Sequence, residues 1–191
     1  MAEVVTMQEF VRALSESPSE LRSELLKALG RVGVEAERQA ALNATTRLNV
    51  RTGRLRASIR SRILGKGKNV AVSVSAGGGR GSKEVKYARI QEEGGTVVPR
   101  NGQWLSIPVG DNLTAAGVAR IPSPRMVSGL YFVPGRSGNL LAFAPGGRLM
   151  FVLVKSVRIT AKHYLRDGVK AAARSVPTEV NAAVRRVLEK L

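Results

Sequence analysis

The chain is 191 residues long, holds 31 Lys and Arg against 14 Asp and Glu for a net charge of +17, and has no cysteine. That length suits one domain, or a domain with appendages, that buries its own core, while the missing thiols exclude disulfides, cysteine-ligated zinc and cysteine nucleophiles. The charge exceeds the roughly 2–8 that solubility asks of a small domain, so a polyanion or an acidic protein face is the expected partner.

The N-terminal segment, Met1 to Val5, has neither a basic stretch nor an apolar run, so no signal peptide is expected. The longest apolar run, Leu149 to Val154, is strand-sized and far short of the ~20 residues of a membrane span. Residues 4–14 carry the pattern of a short helix. Ser17-Pro18-Ser19-Glu20 then reads as a helix start, with Ser17 as cap, Pro18 at the first position and Glu20 closing a capping box. Leu21, Leu25, Ala28, Leu29, Val32, Ala36 and Ala40 follow at helical spacing, predicting one long helix to about Leu48. Gly30 and Gly33 interrupt it, through close packing or a kink.

Ile59, Ser61 and Ile63 alternate with Arg60 and Arg62, and Val70, Val72 and Val74 alternate with Ala71 and Ser73. This predicts two half-buried strands, a hairpin turning at 65–69, with Ile59 and Ile63 inward and the arginines on the solvated face. A glycine-rich loop, Gly77 to Ser82, precedes a short helix from Val85 to Glu93 that Gly94-Gly95 stops. Residues 96–148 are rich in Gly and Pro, with strand-like pieces at 104–109, 130–133 and 140–143, and read as a β-rich extension with long loops. Leu149–Val154 reads as a buried strand, 157–159 as its continuation or a new one, and 162–174 as a helix. A last amphipathic stretch follows Pro177, with Ser175 as a possible cap. The fold class predicted is α+β: a long N-terminal helix packed on an antiparallel β-sheet, with a short helix and a C-terminal helix. The expected division is 1–95 with 149–191 as core and 96–148 as extension.

Catalytic patterns are missing. His163 is the one histidine, without clustered carboxylates, and is a poor metal site. There is no Gly-x-Ser-x-Gly elbow. Gly77–Lys83 resembles a phosphate loop only faintly, its lysine in the wrong order. Adjacent carboxylates on a helix point apart, so Glu92 and Glu93 are expected to pair with arginines, within the chain or across a subunit boundary. No enzyme activity, cofactor or metal is expected.

Charge is uneven: residues 49–166 hold 20 basic and 4 acidic residues, whereas 1–48 hold 6 and 7. Arg51, Arg54, Arg56, Arg60, Arg62, Lys66 and Lys68 recur along the hairpin region, with Arg80 and Lys83 in the loop beyond. No aromatic residue is interleaved with the hairpin cations, which disfavours base stacking and favours sequence-independent contact with duplex phosphates.

Val50-Arg51-Thr52-Gly53-Arg54-Leu55-Arg56-Ala57-Ser58-Ile59, followed by Tyr87-Ala88-Arg89-Ile90-Gln91-Glu92-Glu93-Gly94-Gly95, resembles the motif pair of tail-completion and head–tail joining proteins of tailed phages, of the minor tail protein Z and virion-morphogenesis types. The resemblance covers about residues 18–95 and 149–175 and leaves out 96–148. It implies a homo-oligomeric ring, six-fold by analogy with tails, that completes the head-proximal end of the tail. Its partners would be tail terminator or tail tube proteins, head-neck adaptor or stopper proteins, and double-stranded DNA in the lumen. The implied setting is the virion neck, assembled in the host bacterial cytoplasm. The nine cations would then face the DNA channel, and Tyr87, Glu92, Glu93 and Trp104 are candidate subunit contacts. The alternative is a sequence-independent DNA- or RNA-binding accessory protein.

Overall fold

The structure is a computed structural model that describes residues 5–50, 52–66, 69–78 and 84–190. In chain order the helices are α1 (Met7–Glu16), α2 (Pro18–Arg47), α3 (Arg54–Ala57), α4 (Ala88–Glu93), α5 (Tyr164–Ala173) and α6 (Val176–Leu188). The strands are β1 (Arg60–Lys66), β2 (Asn69–Ser75), β3 (Gly95–Val97), β4 (Leu105–Pro108), β5 (Tyr131–Pro134), β6 (Leu140–Ala144), β7 (Arg148–Val154) and β8 (Val157–Ile159). The fold is α+β, with the long N-terminal helix, antiparallel sheets and C-terminal helix that the sequence predicts.

The chain forms two compact units, residues 1–92 with 162–191 and residues 93–161. The expected core included 93–95 and 149–161. These residues instead belong to the second unit, because β7 pairs with β4 and β6, and β8 pairs with β3.

In the first unit, α2 is the central element, packed against α5, α6, α1 and the β1–β2 hairpin. Its buried stripe is mostly small: Ala28, Gly33, Ala36, Ala40 and Ala44. Small side chains let neighbouring backbones approach closely. A Cβ on Gly33 would lie 3.2 Å from Val72 Cγ1 and 3.3 Å from Ser61 Cβ, so close packing against the hairpin explains this glycine. Tyr164, Ile59, Leu55, Val85 and Ala88 bury beside Ala40 and Ala44. A second cluster of Ala13, Leu21, Val184 and Val187 ties α1 and the start of α2 to α6.

The capping box forms one helix earlier than predicted. Thr6 Oγ1 accepts from Glu9 N at 3.3 Å and Glu9 Oε2 accepts from Thr6 N at 2.7 Å, opening α1. Ser17 makes no side-chain cap bond; its backbone N–H closes α1 by donating to Ala13 O, and Glu20 pairs with Lys190 at 3.3 Å. Ser175 likewise caps nothing; its hydroxyl donates to Ala172 O and its backbone stays α-helical between α5 and α6. The hairpin strands run to Lys66 and from Asn69, longer than the alternation predicts. Ile59 is fully buried, but Ile63 is 43% exposed: it faces the bare backbone of Gly30, where no side chain covers it.

In the second unit β4-β7-β6-β5 form one antiparallel sheet and β3-β8 a smaller one. Ala142, Ala144, Met150 and Phe151 are its buried centre. Asn112, fully buried, donates from Nδ2 to Ile121 O (2.9 Å) and accepts at Oδ1 from Ile121 N (2.8 Å), fixing the 110–121 loop. Trp104 lies 5.8 Å from Lys155 Nζ in a cation–π contact.

Candidate interaction surface

The first of the segments that carry the resemblance, and the second as far as Glu92, belong to the first unit, where Leu55, Ile59 and Ala88 pack in its core; Glu93 to Gly95 belong to the second unit. In the first, Gly53 takes a left-handed φ of +66° and starts α3, with nothing near its missing Cβ; backbone conformation, not space, calls for glycine there. The residue before α3 is Gly53, which makes no side-chain cap bond. Leu55 and Ile59 turn inward. Ser58 Oγ donates to Leu55 O (2.7 Å) and accepts from Gly77 N (2.9 Å), tying the motif to the residues after β2.

In the second segment, α4 is anchored by Ala88, whose carbonyl accepts from the buried Tyr164 hydroxyl at 3.2 Å. Burial, reinforced by the negative charge of Glu92, pushes the Tyr164 phenol up to about 12. Glu92 then acts on α5: its carboxylate accepts from Leu165 N at 2.8 Å and Arg166 N at 3.0 Å. These are N–H groups that a helix start otherwise leaves without partners. His163 precedes them in a left-handed turn (φ +47°), its N–H bonded to Glu92 O. The lone histidine is thus part of a backbone corner.

Between these segments and the end of α2 lies a cleft of about 630 Å³. Ala44, Leu48, Val50 and Leu55 contribute apolar surface; Thr52, Tyr87 and Gln91 contribute polar groups. Three cations line it, Arg47, Arg56 and Lys162. Arg47 is committed, donating to Asp167 Oδ2 at 2.6 Å and Lys162 O at 3.0 Å, and it holds the Asp167 carboxyl below its ordinary range with help from Arg166. Arg56 and Lys162 have no ion-pair partner among the described residues. The chemistry on offer is apolar burial beside two free cations, which suits a segment or ligand bearing a carboxylate or phosphate.

Of the nine cations expected to face a polyanion, Arg51, Lys68, Arg80 and Lys83 lie outside the described residues, as does the side chain of Lys66 at the end of β1. Arg54 and Arg56 are exposed on α3, and Arg62 is exposed on β1. Arg60 turns back on the protein: it donates to Ile59 O at 2.6 Å and sits 3.6 Å from Glu37 of α2. Glu37 also accepts from Ser61 N and Oγ, so β1 is pinned to α2 by one carboxylate. Among the candidate subunit contacts, Tyr87 is 45% exposed in the cleft and Glu93 is exposed at the end of α4, whereas Glu92 is spent on the start of α5. Trp104 belongs to the second unit.

The charge count over 49–166 covers the second unit, but none of the cations named from the sequence as facing a polyanion lies in it. Residues 93–161 hold seven basic and two acidic residues, and none of the seven has an ion-pair partner among the described residues. A regional charge count restricted to that segment is the signal that finds them. No group of three His, Asp or Glu among the described residues is placed to hold a metal, and no described helix is long and apolar enough to cross a membrane. Comparison of the chain with family models, with curated proteins and with solved structures gave no match.

Proposed function

We propose that the chain is a structural subunit of a tailed-phage virion, one that completes the head-proximal end of the tail and joins it to the neck as a ring around the DNA path. The observation that carries this reading is the meeting of the two motif segments, distant in sequence, at one cleft with free cations. Such a cleft is suited to receive a chain segment from a neighbouring subunit or neck protein. In this reading the role is mechanical, with no catalytic step, and a closed ring needs complementary head-to-tail faces on each subunit.

The test is electron microscopy of the purified protein alone and mixed with tails that lack their upper end. Rings, or density capping the head-proximal end, are expected. Monodisperse protein that leaves tails bare overturns the reading.

A second reading, sequence-independent binding of duplex DNA, is favoured by Arg56, Arg62 and the seven cations of the second unit, all without ion-pair partners among the described residues. It requires binding by the isolated protein with a steep salt dependence.

A further inference from the structure

We infer that the cleft of the first unit takes a segment of a different protein, one that carries apolar side chains and unpaired carboxylates, and not part of a second copy of this chain. This rests on the virion reading's use of that cleft as a docking site and names the class of neighbour that enters it.

Asn49, Thr52, Arg56, Tyr87, Gln91 and Lys162 line the cleft, and none of these side chains makes a hydrogen bond or ion pair with another described residue. Arg47, beside them, is balanced by Asp167. The same cleft holds apolar surface from Leu48, Val50 and Leu55, and Val50 is 51% exposed. Apolar walls with a few polar groups are how binding sites orient what they bury. Covering a cation without a counter-charge costs more than apolar contact returns. An occupant that covers Leu48 and Val50 must therefore bring carboxylates to Arg56 and Lys162. A bare phosphate meets the cations and leaves the apolar surface wet; a purely apolar segment does the reverse.

The chain's own carboxylates decide against a second copy. Of the acidic residues described, only Glu84, Asp111 and Glu189 make no hydrogen bond or ion pair. Glu84 is followed by buried Val85, Asp111 by buried Asn112 and Glu189 by Lys190. None is flanked in sequence by an exposed apolar side chain, so no described segment of this chain offers both halves of the match. A net charge of +17 also sets two copies against each other. Copies joined in a ring then meet through other faces.

The experiment uses the full chain and three short dye-labelled synthetic peptides of equal length, alternating Leu-Asp, Ser-Asp and Leu-Lys. Anisotropy titrations are read beside sedimentation of the protein alone. The Leu-Asp peptide is expected to bind, and the other two to bind more weakly or fail. In the double variant Arg56→Glu, Lys162→Glu the Leu-Asp peptide is weakened at least about tenfold and the Leu-Lys peptide is gained. An unfolded variant cannot gain a peptide, and the neutral pair Arg56→Gln, Lys162→Gln, weakened in the same direction, serves where the reversed pair does not fold. Lys170→Glu with Arg174→Glu removes the same charge from exposed positions of α5 outside the cleft and is expected to leave binding unchanged. Ser-Asp binding as tight as Leu-Asp, equal loss in the α5 variant, no loss in either cleft variant, or self-association of the protein that the cleft variant abolishes each overturns the inference. Rings or capped tails from a protein that binds no peptide sink this inference alone; peptide binding by a protein that leaves tails bare sinks the virion reading alone.

Discussion

Gly168 of α5 lies so close to Ala40 of α2 that a Cβ on it would fall 2.6 Å from the Ala40 backbone nitrogen. No backbone atom can retreat from that approach without moving the helix. Gly168→Ala is therefore expected to destabilise the first unit by about 1–3 kcal/mol, read as a lower urea midpoint by circular dichroism at 222 nm. Gly30→Ala is the control. Its new methyl would meet only Ile63 Cδ1 at 4.0 Å, an ordinary contact, so helix propensity decides and stability rises by up to about 1 kcal/mol.

Glu92 bonds the first free N–H groups of α5 from a separate helix. Glu92→Ala removes that cap, at an expected cost of about 1–2 kcal/mol, and speeds amide exchange at Leu165 and Arg166. A subunit-contact role alone would leave the isolated protein's stability unchanged.

Two carboxyls of α2 make stability fall in acid. Glu24, held by Lys27 and Arg186, and Glu35, held by Arg38 and Gln39, are lowered from 4.5 to about 2. A folded carboxyl with a depressed pKa binds protons less readily than the unfolded chain does. Its contribution is thus complete above about 4.5 and is lost as pH falls toward about 2. Urea midpoints measured across that window are expected to fall, and Glu24→Gln to flatten part of the fall.

Asn112 is the polar pin of the second unit. Asn112→Ala leaves Ile121 N–H and C=O without their partner and is expected to cost about 1–3 kcal/mol. The chain's one tryptophan, Trp104, lies in that unit, so its fluorescence transition is expected to shift ahead of the helical signal at 222 nm.

Under the DNA-binding reading, Arg56→Glu with Arg62→Glu weakens duplex binding and lowers the log–log salt slope by about 1 or more per lost phosphate contact. The same reversal at Arg60 is a poor probe of that surface, because it also sets a second carboxylate against Glu37.

Periodicity and punctuation along the chain settled the elements: the α2 stripe, the alternation of β1 and β2, and the stop at Gly94, which has φ +73°. These depend on residues a few positions apart, so they can be read without the fold. The same is true of the unbalanced charge. What tertiary structure alone decided are the partners. Ser175 is a capable cap whose hydroxyl bonds the preceding helix instead, and Ser17 makes no side-chain cap bond. Arg60 was drawn to Glu37, and Glu92 to a helix that begins 72 residues later. Residues 149–161 went with the second unit because the strands they pair with lie there. Hydrogen-bonding capacity is a property of a residue and is written in the sequence, whereas which acceptor stands within 3 Å is set only when distant segments are packed side by side.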